Sequence, residues 1–360
     1  MTFSTFLFFV LGLILLVAGA DIFVRGASRL AAAIGVSPLV IGLTVVAYGT
    51  SAPELAVSIQ STLTGYGDIS LGNVIGSNIA NVLLILGLAS LAAPLIVDQQ
   101  LVRLDVPIMI GISIIVYLFS LSGTIQPWQG VLLAFGAVAY TVFLIRQSRK
   151  ETKAIQAQYA EEFDETPPTT AAQWLLTVGY VVIGGLMLVL GANWLVESAI
   201  TFAQYFGISE VIIGLTVVAV GTSLPEVATS VVASLRGERD IAVGNVVGSN
   251  IFNLLLVLGA ASAISPNGMS VPAQTLAIDL PIMVAVALLC LPIFVRGEIP
   301  RWVGGLFLAY YVAYNLYLYL NAAQSGSLDT FIFIMLQLLM PLTVVVVVIA
   351  ALRTWLAERR

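Results

Sequence analysis

The sequence contains no histidine and one cysteine, Cys290. The first absence removes the commonest metal ligand and general base. The second excludes a disulfide scaffold and any thiolate pair for redox or zinc chemistry. Charge is the next scarcity. Only 9% of the 360 residues are charged, against 59% hydrophobic. A soluble domain carries roughly 25% charged residues, so this chain cannot cover a surface in water. No phosphate-binding loop of the G-x-x-x-x-G-K-[ST] type is present, which argues against nucleotide-driven work and against a nucleotide partner. Nothing basic enough for nucleic acid stands out either. The chain reads as a non-enzyme without a cofactor.

What is abundant is long apolar sequence. A bilayer-spanning helix needs ~20 mostly apolar residues. Such runs fall at about 3–28, 36–62, 70–93, 104–121, 126–146, 173–203, 208–235, 241–264, 276–295, 302–321 and 330–352, which makes eleven. The fold class expected is therefore an all-α integral membrane protein. The long polar stretch 147–172, with its acidic run and Pro167-Pro168, is a solvated linker at the midpoint. If the N-terminus is outside, all 14 Lys and Arg residues fall on the cytoplasmic side. Cytoplasmic loops carry the Lys and Arg excess, so the pattern fits eleven spans with a cytoplasmic C-terminus. The first run has no preceding base and no small-residue exit, so it reads as a retained span. The expected location is a cell membrane, a prokaryotic inner membrane.

The second half restates the first. Residues 42–87 align with 214–259 without a gap, at 29 identities in 46 positions. Gly49-Thr50-Ser51-Ala52-Pro53-Glu54 returns as Gly221-Thr222-Ser223-Leu224-Pro225-Glu226. Gly72-Asn73-Val74-Ile75-Gly76-Ser77-Asn78-Ile79-Ala80-Asn81 returns as Gly244-Asn245-Val246-Val247-Gly248-Ser249-Asn250-Ile251-Phe252-Asn253. Asp105-Val106-Pro107-Ile108-Met109 returns as Asp279-Leu280-Pro281-Ile282-Met283. Each unit holds five spans, and an odd repeat must invert. The expected organisation is a first repeat at 1–146, the linker at 147–172, a second repeat at 173–321 and an additional C-terminal helix within 329–360. Inverted repeats with interrupted helices are a transporter architecture.

Polar groups inside a membrane are costly and concentrate where function needs them. Ala47, Thr50, Ser51 and Glu54 are spaced to share one helical face, and Ala219, Thr222, Ser223 and Glu226 repeat it. Pro53 and Pro225 remove a backbone donor, releasing carbonyls from Ala47 to Gly49 and from Ala219 to Gly221. Asn73, Ser77 and Asn81 share a face of the next span, as do Asn245, Ser249 and Asn253. These are hard oxygen donors. They suit Ca²⁺, which takes 6–8 oxygens, and they suit Na⁺. Two glutamates balance one Ca²⁺ or two Na⁺. A lone intramembrane Glu can be a neutral structural group, but a matched pair in inverted repeats is poorly explained that way. Asn73, Asn78, Asn245 and Asn250 read as packing between helices. Asp105 and Asp279, two residues before a proline, read as N-caps. Asp68 and Asp240 read as caps or as guards of an ion entrance.

The paired G-T-S-x-P-E and G-N-x-x-G-S-N-x-x-N motifs resemble the cation/calcium exchanger superfamily, and in particular its microbial sodium/calcium exchangers. The resemblance covers all ten repeat spans. It implies Glu54 and Glu226 as shared acidic ligands, with Thr50, Ser51, Ser77, Thr222, Ser223 and Ser249 completing Na⁺ and Ca²⁺ sites. It adds carbonyls from Ala47 and Ala219, a middle position at Asn81 and Asn253, and alternating access by sliding of the first and sixth spans past the remaining core. Ca²⁺ and Na⁺ are then the substrates and the lipid bilayer the surrounding partner. Some members carry an acid where this chain has Asn253, which argues against potassium coupling. The linker is too short for the regulatory calcium-binding domains of animal exchangers, and the eleventh span is extra to the ten-span pattern. The expected function is Na⁺/Ca²⁺ antiport that expels Ca²⁺. The alternative is Ca²⁺/H⁺ antiport on the same glutamates, disfavoured because proton-coupled relatives typically lack the Thr-Ser pair and place a His after the Glu. A channel is the third reading.

Overall fold

The computed structural model describes residues 3–162, 170–206, 219–343 and 345. Helix α1 runs Phe3–Ile34. The next span is broken into α2, Pro38–Thr50, and α3, Ala52–Leu63, which meet at 45°. There follow α4 (Gly67–Ala92), α5 (Leu101–Ser120), α6 (Pro127–Glu162), α7 (Ala171–Tyr205), a short turn Ala219–Gly221 and α8 (Leu224–Leu235). The chain continues as α9 (Arg239–Ile264), α10 (Thr275–Phe294), α11 (Arg301–Ala322) and α12 (Leu328–Thr343). Among the described residues, eight helices are long and apolar enough to cross a bilayer, nine with the bent α2–α3 pair. The other two expected spans, 208–235 and 330–352, lie partly outside the described residues, as do 163–169 of the linker.

Local chemistry explains the breaks. Ser37 caps α2, its hydroxyl accepting from the Val40 N–H at 3.3 Å, with Pro38 in the first turn. Ser51 leaves helical geometry at ψ 7°, and Ser223 does so at ψ 4°, each two residues before a proline. Pro53 cannot donate to the carbonyl of Gly49, so the ladder fails there. Two extensions differ from expectation. Helix α1 continues to Ile34, so Arg25 and Arg29 stand on its last turns and not in a loop. Helix α6 runs on through Glu162, because Lys, Glu, Gln and Ala sustain a helix even where the sequence turns polar.

An inverted two-fold relates the halves. Helices α1 and α7 pack antiparallel and close: a Cβ on Gly12 would meet the Gly191 carbonyl at 2.9 Å, and one on Gly184 would meet the Phe23 nitrogen at 2.6 Å. Gly12 and Gly184 are equivalent in the repeat, as are Gly19 and Gly191. Two short antiparallel ribbons obey the same operation. Strand β1 (Leu95–Ile96) pairs with β4 (Glu298–Ile299), and β2 (Thr124–Ile125) pairs with β3 (Met269–Ser270). Each ribbon ties a loop of one half to a loop of the other. The core lies around α4 and α9. Of the α9 window tested for membrane crossing, 94% is buried, against 22–39% for α1, α5–α7, α10 and α11. Helix α9 is therefore surrounded by protein and the outer helices face lipid.

Asp105 and Asp279 do not act as N-caps. Asp105 accepts the Tyr140 hydroxyl at 2.8 Å and the Gln100 amide at 3.0 Å, and Asp279 accepts the Tyr314 hydroxyl at 3.1 Å. Both sit on helical backbone where the preceding wide turns satisfy the N–H groups. Each aspartate therefore joins α5 to α6, or α10 to α11. Asp68 and Asp240 lie in the first turns of α4 and α9, where a carboxylate meets the positive end of the helix dipole, and neither is the cap residue.

Candidate ion-binding site

Glu54 and Glu226 open α3 and α8 immediately after the breaks, and each is only 1% exposed. The halves cross at this point. The Ser51 hydroxyl of the first repeat donates to Glu226 Oε1 at 3.3 Å. The Ser223 hydroxyl of the second donates to Glu54 Oε1 at 3.4 Å. Each acid therefore meets its own repeat through the backbone and the opposite repeat through hydroxyls. Both Oε2 atoms are buried with no hydrogen-bond partner.

More unpartnered oxygen lines the neighbouring helices. Ser249 Oγ, Asn78 Oδ1, Asn81 Oδ1 and both amide atoms of Asn253 are buried and unbonded. Ser77 is buried on the same face of α4 as Asn81. Wide helical turns begin at Asn81 and at Asn253, a feature that recurs at functional positions. A buried polar atom without a partner costs roughly 1–3 kcal/mol, so seven clustered on the paired motifs require something to satisfy them. A cation does so for the oxygens. Among the described residues no group of three or more His, Cys, Asp or Glu exists, so the charge of this site is that of two carboxylates.

The remaining expected ligands are placed differently. The Ala47 carbonyl accepts the Ser51 N–H at 3.0 Å and the Thr50 hydroxyl at 3.4 Å. The same hydroxyl lies 3.1 Å from both the Val46 carbonyl and Asn245 Oδ1, so its one proton is shared among these acceptors. Ala219 opens the turn Ala219–Gly221 at the edge of the described residues, and the motif residues 214–218 lie outside them. The asparagines read as packing do more than pack. Asn245 accepts from Thr50 across the repeat boundary and donates to Ser230 at 3.0 Å. Asn73 donates to the Glu54 carbonyl at 3.2 Å and to Ser58 at 3.0 Å, holding the first turn of α3. The signal was present: the second motif restates the Asn as well as the Ser.

Buried carboxylates at broken helices, crossed between inverted repeats, define a multi-pass membrane transporter of the cation-exchanging class. Comparison with known proteins agrees. The family described as "Sodium/calcium exchanger protein" matches residues 4–146 and 176–320. The chain belongs to that family, within the cation/calcium exchangers. It is 36% identical over 345 residues to the sodium/calcium exchanger MaX1 of Methanosarcina acetivorans, covering 87% of this chain and 98% of that one. It is 37% identical over 286 residues to the inner membrane protein YrbG of Escherichia coli, covering 78% of this chain and 87% of that protein. The solved structure of the sodium-calcium exchanger NCX_Mj, soaked without Na⁺ and Ca²⁺, superposes with a TM-score of 0.75 at 31% identity. That match covers 87% of this chain and 98% of NCX_Mj.

Proposed function

We propose that the chain is an antiporter that exchanges Na⁺ for Ca²⁺ and expels Ca²⁺ on the inward Na⁺ gradient. The observation that carries this reading is the pair of crossed hydroxyl–carboxylate contacts, each leaving one buried carboxylate oxygen free. Glu54 and Glu226 are the shared acidic ligands. Ser51, Thr50, Ser77, Ser223, Thr222, Ser249, Asn81 and Asn253 complete the oxygen cage, with the carbonyls of Ala47 and Ala219. The donor set is uniformly hard oxygen, which favours Ca²⁺ and Na⁺ over transition metals.

Exchange follows from the charge count. Two bare carboxylates in a low-dielectric interior repel and are poorly solvated, so the empty site resists crossing between its two open states. One Ca²⁺ or two Na⁺ neutralises it. Either load then permits the change, and leaving with one cation requires returning with the other. The close α1–α7 contact supports the moving element: helices joined at backbone distance along their glycines can travel as one unit past the remaining core. The repeats 1–146 and 173–321 supply one half of the site each. The protein lies in the cytoplasmic membrane with its N-terminus outside.

Inside-out vesicles test the coupling. With Na⁺ loaded inside the vesicles, dilution into Na⁺-free ⁴⁵Ca²⁺ medium should drive uptake, and a pH step alone should not. Uptake driven only by the pH step would replace this reading with Ca²⁺/H⁺ antiport. Ca²⁺ flux without saturable counterflow would replace it with a channel.

A further inference from the structure

Behind the site lies a chain of amides that ends on sulfur. Asn250 Nδ2 donates to Met109 Sδ at 3.5 Å. Asn250 Oδ1 accepts from Asn81 Nδ2 at 3.0 Å. With its NH₂ held, Asn81 is left with a buried, unpartnered Oδ1. Met109 is 1% exposed on α5, Asn250 lies on α9 and Asn81 on α4. Three helices from both repeats therefore converge on the orientation of one amide.

We infer that Met109 is a positioning residue which, through Asn250, presents the Asn81 carbonyl oxygen and not its NH₂ to the transported cation. This rests on the proposed ion site. An amide has a donor end and an acceptor end, and only the acceptor end coordinates a cation. The thioether can accept a hydrogen bond but cannot donate one. It therefore fixes Asn250 with its NH₂ toward α5 and its oxygen toward Asn81, and Asn81 follows in the opposite sense. A leucine at this position would fill the space equally and carry no such polarity.

The two-fold mate supplies the internal comparison. Asn78 Nδ2 donates to Met283 Sδ at 3.8 Å, and also to the Asn250 carbonyl at 3.2 Å. Asn78 has a second acceptor, so Met283 is not needed to fix it. Its Oδ1 and the Asn253 Nδ2 remain unpaired. The relay is closed on the Asn81 side and open on the Asn253 side. Substitutions at the two equivalent methionines should therefore differ.

The test uses the full-length protein with Met109→Leu, Met109→Gln and Met283→Leu. Apparent Ca²⁺ and Na⁺ affinities are read from cation-dependent thermal stabilisation in detergent, and maximal exchange from ⁴⁵Ca²⁺ flux in liposomes. Loss of one net hydrogen bond corresponds to roughly a three- to tenfold affinity change. Met109→Leu should weaken cation affinity by that factor while the maximal rate stays within about twofold. Met109→Gln, which restores an acceptor, should recover affinity, and Met283→Leu should leave it unchanged. An unaltered affinity in Met109→Leu overturns the relay, as does an equal loss in Met283→Leu, which would indicate packing. A failure of Met109→Gln to exceed Met109→Leu also overturns it. A wild-type protein that neither binds nor exchanges these cations overturns the site reading and the relay together.

Discussion

Glu54 and Glu226 each give one oxygen to a hydroxyl from the other half and keep the second unpaired. That division makes separate predictions for acid and hydroxyl. Removing one member of a buried charge set costs roughly 3–5 kcal/mol. Glu54→Ala or Glu226→Ala should therefore lower ⁴⁵Ca²⁺ exchange more than about a hundredfold, with the protein still present and monodisperse when extracted. Substantial exchange in both would remove these residues from the site. Ser51→Ala and Ser223→Ala each remove a neutral donor, and each should raise the half-saturating Ca²⁺ concentration roughly three- to tenfold. Because the two contacts are two-fold mates, the two shifts should agree within about twofold. Threonine at either position should restore much of the loss. A titration of exchange against external Ca²⁺ reads all four variants. At this scale the sequence announced the acids and hydroxyls, since polar residues stand out against an apolar span. It did not announce which carboxylate each serine serves. Ser51 lies three residues from Glu54, yet its bond goes to Glu226, because the break at Ser51 turns its hydroxyl across the interface.

Helices α1 and α7 show what a glycine spacing does at the scale of an element. Gly12, Gly19 and Gly26 recur at seven residues along α1, and Gly184 and Gly191 do so along α7. Their backbones nearly touch: a Cβ on Gly191 would lie 2.6 Å from the Leu16 nitrogen, and one on Gly19 would lie 3.0 Å from that of Leu188. The obstructing atoms are backbone and cannot rotate away. Gly184→Ala or Gly191→Ala should therefore force the helices apart, at a cost of about 1–3 kcal/mol, and lower the thermal midpoint. Exchange at a temperature well below that midpoint should fall too, because helices forced apart no longer travel as one unit past the core. Gly179→Ala, where a Cβ meets nothing within 4 Å, should change neither. Equal behaviour of the three variants in melting and flux would show that the close approach is incidental. The seven-residue glycine spacing was readable from the sequence, but its meaning required knowing which helix lies opposite. The Asp105–Tyr140 and Asp279–Tyr314 bonds were hidden for the same reason. Each joins residues 35 apart, on helices whose facing sides periodicity alone does not reveal.

For the molecule as a whole, the strongest sequence signal was the repeat, and the inverted two-fold that it demands appears in the α1–α7 packing and in both ribbons. Orientation is the part that rests on charge alone. The ribbons bear on it by placing loops together: β1 with β4 puts the loops at 93–100 and 295–300 on one face, and β2 with β3 puts those at 121–126 and 265–274 on the other. The first face carries Arg296 in its loop and Arg103 and Arg301 in the first turns of α5 and α11, and the second carries no base. On the basic end of α1, Asp21 pairs with Arg25 at 3.2 Å and with Arg236 of the α8–α9 loop, while Ser28 donates to Glu238 at 2.9 Å. Arg25, Arg29, Arg236 and Arg239 thus gather at one end of the bundle. Bases remain on the side where the membrane potential and the insertion machinery leave them, so that face should be cytoplasmic. Cys290 is fully buried, and its replacement by serine leaves a background free of thiols. In that background Ser122→Cys, in the exposed β2 loop, should react with an impermeant maleimide added to intact cells. Gln99→Cys, in the β1 loop, should react only after the cells are opened. The reverse pattern would invert the protein in the membrane, and with it the direction in which its cation sites first meet the outside.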